Sequence, residues 1–139
     1  MRYWDTSSLV PLVVEEDRSP EMKELFQDDP EVATWWGTRV ECASAIRRRE
    51  REGGLDPEEA NRASLLLETL ARDWAEVVPG QELRSIASRL LAVHPLSAGD
   101  ALQLAAAIRW ATEIPGGPEM VTLDERLRDA AAREGLVCP

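Results

Sequence analysis

At 139 residues, 44% apolar and 30% charged, the chain is long enough for one domain with a single core and too apolar for a disordered segment. A formal net charge of −10 repels phosphate at long range, which disfavours non-specific nucleic-acid binding but leaves open a nucleic-acid substrate reached through bound cations. No run of about 20 apolar residues is present for a membrane span, and no long apolar leader segment is visible, so the expectation is a cytoplasmic protein with no membrane partner.

Arg2–Trp4 reads as a short first strand that runs into Asp5. Thr6, Ser7 or Ser8 can cap the helix that follows, with Pro11 in its first turn. Pro20 to Gln27 reads as a second helix, with Met22, Leu25 and Phe26 on one side, and Glu31–Trp35 as a second strand. Thr38 opens a third helix, TRVECASAIRRRERE, which stops at Gly53-Gly54. Asp56-Pro57-Glu58-Glu59 combines a cap residue, a proline at the first helical position and a glutamate three residues after the cap; Ala60, Ala63, Leu66, Leu67, Leu70 and Trp74 then recur at helical spacing. Ala75–Val78 is a third strand, closed by Pro79-Gly80. Leu83, Ile86, Ala87, Leu90 and Leu91 form the stripe of the next helix. Ser97 caps another, SAGDALQLAAAIRWA, with Ala101, Leu104, Ala105 and Ile108 inward. IPGGPE is a loop, Met120–Leu123 a fourth strand, Asp124–Glu134 a helix and Leu136–Cys138 a short last strand. Short strands alternating with helices predict an α/β fold: one domain over residues 1–139, with a short, mostly parallel central sheet flanked by helices. In such sheets ligands bind at the carboxyl ends of the strands.

Four carboxylates fall at or near that edge. Asp5 ends the first strand, Glu41 and Asp100 lie in the first turns of their helices, and Asp124 ends the fourth strand. Helix capping is the competing reading, since Thr38-x-x-Glu41 and Ser97-x-x-Asp100 both match a capping box and Asp124 suits an N-cap. Asp5 is hardest to assign to capping, because its strand leads directly into the core. His94, the single histidine, precedes a proline and suggests a turn. Cys42 and Cys138 lie far apart without metal-ligand spacing and read as small core residues.

These segments, taken in order, resemble the PIN-domain ribonucleases, above all the VapC-type toxins of type II toxin–antitoxin systems. YWDTSSLV resembles the family's opening, TRVECASAIRR its glutamate helix, LSAGDALQLAAAI its D-A-L-x-L-A segment and MVTLDERLRDAAAREGL its closing segment. Gln103 departs from the pattern, because many members carry histidine there; little effect on the chemistry is expected. The resemblance implies a divalent-metal-dependent endoribonuclease with Mg2+ or Mn2+ as cofactor, hydrolysing RNA to a 5′-phosphate and a 3′-hydroxyl. It also implies an antitoxin partner and a homodimer.

Physical chemistry is consistent with that implication. Clustered carboxylates raise one another's pKa unless a cation neutralises them, and Mg2+ and Mn2+ take oxygen ligands. Asp5 and Asp100 are the expected direct ligands. Glu41 and Asp124 are expected to act through water or at a second metal, with Ser7 and Thr122 fixing the carboxylates from behind. Arg47, Arg48 and Arg49 follow Glu41 along one helix and are either RNA contacts or a solvated helix end. Leu9, Leu12, Val13 and Trp36 are either core or apolar anchors for an antitoxin whose basic side chain would pair with the acidic site. A haloacid-dehalogenase phosphatase would need aspartate where Ser7 stands. A receiver domain would need a late lysine, and the only lysine is Lys23. A catalytically inactive PIN-like module that binds RNA or protein is the remaining alternative.

Overall fold

The computed structural model describes residues 1–115 and 118–139. Its strands are β1 (Arg2–Trp4), β2 (Val32–Trp35), β3 (Ala75–Val77) and β4 (Met120–Val121). They form one parallel sheet in the order β3-β2-β1-β4, with Tyr3 opposite Ala33 and Met120, and Trp35 opposite Val77. The helices are α1 (Thr6–Val13), α2 (Ser19–Asp28), α3 (Thr38–Arg51), α4 (Pro57–Leu70), α5 (Gln81–Val93), α6 (Ala98–Ala111) and α7 (Glu125–Arg133). The predicted α/β class and parallel sheet are what the fold shows.

Alternation along the strands divides the core between the two faces of the sheet. Tyr3, Ala33, Trp35 and Met120 pack with α5, α6 and α7, whereas Trp4, Val32 and Val121 pack with α1 to α4. Chain order steps from β1 outward through β2 to β3, then returns to place β4 on the other side of β1. The order therefore reverses between β1 and β4, and α1 and α7 leave those two strands on opposite faces. That divergence is where open α/β sheets place a crevice.

Several local expectations are corrected. Asp5 itself caps α1 by accepting from Ser8 N, so Thr6, Ser7 and Ser8 lie inside the helix and Pro11 falls beyond its first turn. Thr38 is not a cap: Gly37 occupies that position with no side-chain bond, and the Thr38 hydroxyl is held by Thr34 and Gln103. Strand β4 stops at Val121 rather than Leu123, because Leu123 N donates to Ser7 Oγ and the chain turns out of the sheet. The expected last strand reduces to one bridge, Val137 to Glu119. Trp74 lies beyond α4, after a 3₁₀ turn, and Leu66 and Leu91 are exposed rather than inward. Leu9 and Leu12 are core residues, which removes them as anchors for a partner. The Asp56 start forms as expected: Asp56 accepts from Glu59 N at 2.8 Å, and Glu59 accepts in return from Asp56 N. Cys42 is buried and Cys138 half-buried. Positions 116 and 117 of the predicted IPGGPE loop lie outside the described residues.

Candidate metal centre and nucleic-acid cleft

A cleft of about 860 Å³ opens at the carboxyl edge of β1, and Asp5, Glu41, Asp100 and Asp124 all line it. Each arrives from a different element. Asp5 follows β1, Glu41 lies in the first turn of α3, and Asp124 caps α7 through Leu127 N at 2.9 Å. Asp100 follows a helix rather than a strand; it reaches the cleft because α6 packs across the sheet with its N-terminus at that edge. Capping and cleft placement coexist here, since the bond that caps α1 or α7 also turns the carboxylate toward the opening.

Asp5 is the most confined of the four, with 4% of its surface exposed. Its Oδ1 accepts from Ser8 N at 3.1 Å and from Ser7 Oγ at 2.8 Å, and its Oδ2 accepts from Thr122 Oγ1 at 3.0 Å. Ser7 Oγ accepts from Leu123 N and Thr122 Oγ1 from Asp124 N, so each hydroxyl is committed to donating toward Asp5. Burial pushes the Asp5 carboxyl up from 3.8 to about 6; the hydrogen bonds from Ser7, Ser8 and Thr122 oppose that rise without cancelling it. A buried anion of this kind is stabilised by a cation.

Glu41 is oriented from the opposite side. Thr6 Oγ1 donates to its Oε2, and Gln103 Nε2 donates to the same oxygen at 2.8 Å. Gln103 is 2% exposed, and its Oε1 accepts from Tyr3 OH at 2.9 Å, which fixes which end of the amide faces Glu41. Asp100 is held by Ser97, whose hydroxyl donates to Asp100 Oδ2 at 2.7 Å.

The donor set offers oxygen ligands only, which suits Mg2+ or Mn2+ rather than thiolate- or imidazole-seeking metals. Among the described residues no three His, Cys, Asp or Glu side chains stand close enough to form a ready-made metal cluster. Mg2+ does not require one, since it keeps several waters and takes one or two carboxylates directly.

A family model for the PIN domain matches residues 2–133. The chain belongs to the PIN domain family. Two solved structures share the PIN domain's architecture. VapC20 of Mycobacterium tuberculosis, described as a Sarcin-Ricin loop cleaving toxin, aligns with a TM-score of 0.69 at 20% identity, covering 94% of this chain and 95% of that one. A toxin–antitoxin complex from Klebsiella pneumoniae aligns at 0.64 and 18% identity, covering 99% and 96%. No curated protein sequence matches the chain significantly.

Within this PIN domain the three arginines separate. Arg48 lines the cleft and has no ion-pair partner among the described residues, whereas Arg49 lines it but pairs with Glu16, a fifth carboxylate in the lining. Arg47 is absent from the cleft lining and faces α4, pairing with Glu50 at 3.1 Å and approaching Asn61 and Ser64. Sequence reasoning gave Gln103 no part in the chemistry and did not select Thr6; both hold Glu41. The period of α6 offered one signal, since Gln103 falls among Ala101, Leu104 and Ala105 on a buried face, where a polar side chain needs a partner.

Proposed function

We propose that this PIN domain is a divalent-metal-dependent endoribonuclease acting as the toxin of a toxin–antitoxin pair, with Asp5, Glu41, Asp100 and Asp124 as its catalytic carboxylates. The observation that carries the reading is that these four, from four separate elements, line one cleft. Mg2+ or Mn2+ bound there would polarise the phosphodiester and activate the attacking water.

The chain's own residues supply placement. Ser7, the Ser8 amide and Thr122 hold Asp5 as an anion facing the cleft, and Thr6 with Gln103 fixes Glu41 opposite it. Asp5 and Asp100 would be the direct ligands of such an ion, while Glu41 and Asp124 would act through water or at a second ion. Asp124 gives only Oδ1 to its helix cap. Arg48, which lines the cleft without an ion-pair partner among the described residues, offers a phosphate contact. The toxin role draws support from the two neighbours, whose descriptions name a toxin and a toxin–antitoxin complex. An acidic cleft in a chain of net charge −10 steers a basic antitoxin segment toward it. A homodimer accompanies this reading.

The test is incubation of total RNA with the purified protein in Mg2+, Mn2+ or EDTA, with mapping of new ends, repeated after co-purification with the product of the neighbouring reading frame. Discrete metal-dependent cuts leaving 5′-phosphates, suppressed by that product, are expected. Metal-independent cutting, or a bound product that leaves cutting intact, contradicts the proposal.

A further inference from the structure

The carboxylates leave the apolar end of the cleft unused. Trp36 is 53% exposed and Val40 69% exposed, and both line the same cleft as the acidic residues. Trp36 is firmly held for an exposed side chain. Its backbone N–H donates to Val77 O at 3.0 Å, and its ring meets Trp35 edge-on, with 6.2 Å between centroids and 69° between planes. Gly37 makes this possible, because a Cβ at that position would lie 2.3 Å from Trp35 Nε1. Only glycine leaves room for the Trp35 indole beneath the turn that presents Trp36.

From that turn onward the cleft wall carries an ordered series: Trp36, then Val40 and Glu41, then Ser44, then Arg48. Arg48 lies about 10 Å beyond Glu41 along the axis of α3 at 1.5 Å per residue. An aromatic shelf therefore stands on one side of Glu41, with Arg48, which has no ion-pair partner among the described residues, on the other. A single strand of RNA matches this order, because its unstacked bases lie on aromatic faces while its phosphates meet arginine. A duplex keeps its bases stacked inside and offers nothing to the shelf.

We infer that Trp36 is the stacking platform for an unpaired base flanking the cleaved phosphodiester. The inference rests on the nuclease reading above and adds the residue that holds the base beside the cut.

The test measures binding of a labelled single-stranded RNA oligonucleotide, and of the same oligonucleotide annealed to its complement, in Mg2+. The protein carries Asp5→Asn so that the RNA stays uncut, alone or with Trp36→Ala or Trp36→Phe. Expected results are single-strand affinity about tenfold weaker with Trp36→Ala, recovery of most of that loss with Trp36→Phe, and unchanged duplex affinity. Trp36→Ala should lower the melting temperature by no more than a few degrees, through loss of the edge-on contact with Trp35, and Trp36→Phe by less. Parallel cleavage assays with Asp5 intact should show the loss in KM rather than kcat. Equal single-strand affinity for the alanine and tryptophan forms overturns the inference. So does a loss confined to binding the neighbouring frame's product, which would assign Trp36 to a protein interface. If the Asp5 protein binds RNA but never cuts it, the nuclease reading fails while the binding arm still decides the role of Trp36. If no form binds RNA, both fail.

Discussion

Asp5→Asn should make the metal-free protein more stable at neutral pH. Burial raises the Asp5 carboxyl from 3.8 to about 6. At 1.36 kcal/mol per pH unit, keeping that group ionised costs the folded state about 3 kcal/mol. The sign follows from proton counting. Below pH 3.8 both folded and unfolded chains hold the proton and there is no cost. Between 3.8 and about 6 the folded chain holds more proton than the unfolded one, so stability falls as pH rises. Above about 6 the full cost persists. Asparagine keeps the shape and can still accept from Ser8 N, but its amide N–H faces Thr122 Oγ1, whose O–H then loses the oxygen it donates to. One lost hydrogen bond costs about 1 kcal/mol. The variant should therefore gain about 2 kcal/mol at pH 7.5 in EDTA. Urea denaturation of both proteins from pH 4 to 8 reads this directly, and the difference between them should grow through pH 4–6 and then level off. Added Mg2+ should stabilise the parent and leave the variant nearly unchanged. A variant less stable than the parent at pH 7.5, or a difference independent of pH, would show that the buried Asp5 charge does not cost the fold stability.

Arg48→Ala should weaken RNA binding and lower its salt dependence by about one counterion, whereas Arg47→Ala should change neither; fluorescence titration at several salt concentrations separates the two. Gly37→Ala should destabilise the fold by about 1–3 kcal/mol through overpacking against Trp35, read by chemical denaturation. Gln103→Glu would place a second carboxylate against Glu41 in place of a donor at 2.8 Å, so cleavage should fall and its acid limb should move to higher pH.

The elements that announced themselves in the sequence are those whose signals are local. The Asp56 cap with its glutamate, the apolar spacing of the helices and the Gly53 stop are each settled within one turn of chain, and Gly53 takes a positive φ of 82°. The acidic residues were legible because strand ends and helix starts place side chains at one edge of a parallel sheet. Asp100 was harder, since only the docking of α6 across the sheet brings it to that edge. Gln103 and Thr6 escaped because their partner, Glu41, lies 62 and 35 residues away in the chain. Arg47 and Arg48 part for a related reason: consecutive helical residues point about 100° apart, so Arg47 faces α4 while Arg48 faces the cleft.

Metal-dependent RNA hydrolysis by this cleft depends on all four carboxylates. Single-turnover cleavage of one RNA by the parent and by Asp5→Asn, Glu41→Gln, Asp100→Asn and Asp124→Asn, with Mn2+ varied over a wide range, tests it most directly. Rates should be lower by at least about 100-fold in every variant, with the Mn2+ requirement of Asp5→Asn and Asp100→Asn shifted to higher concentration. Parental rates in any of the four, or cleavage that persists in EDTA, would contradict it.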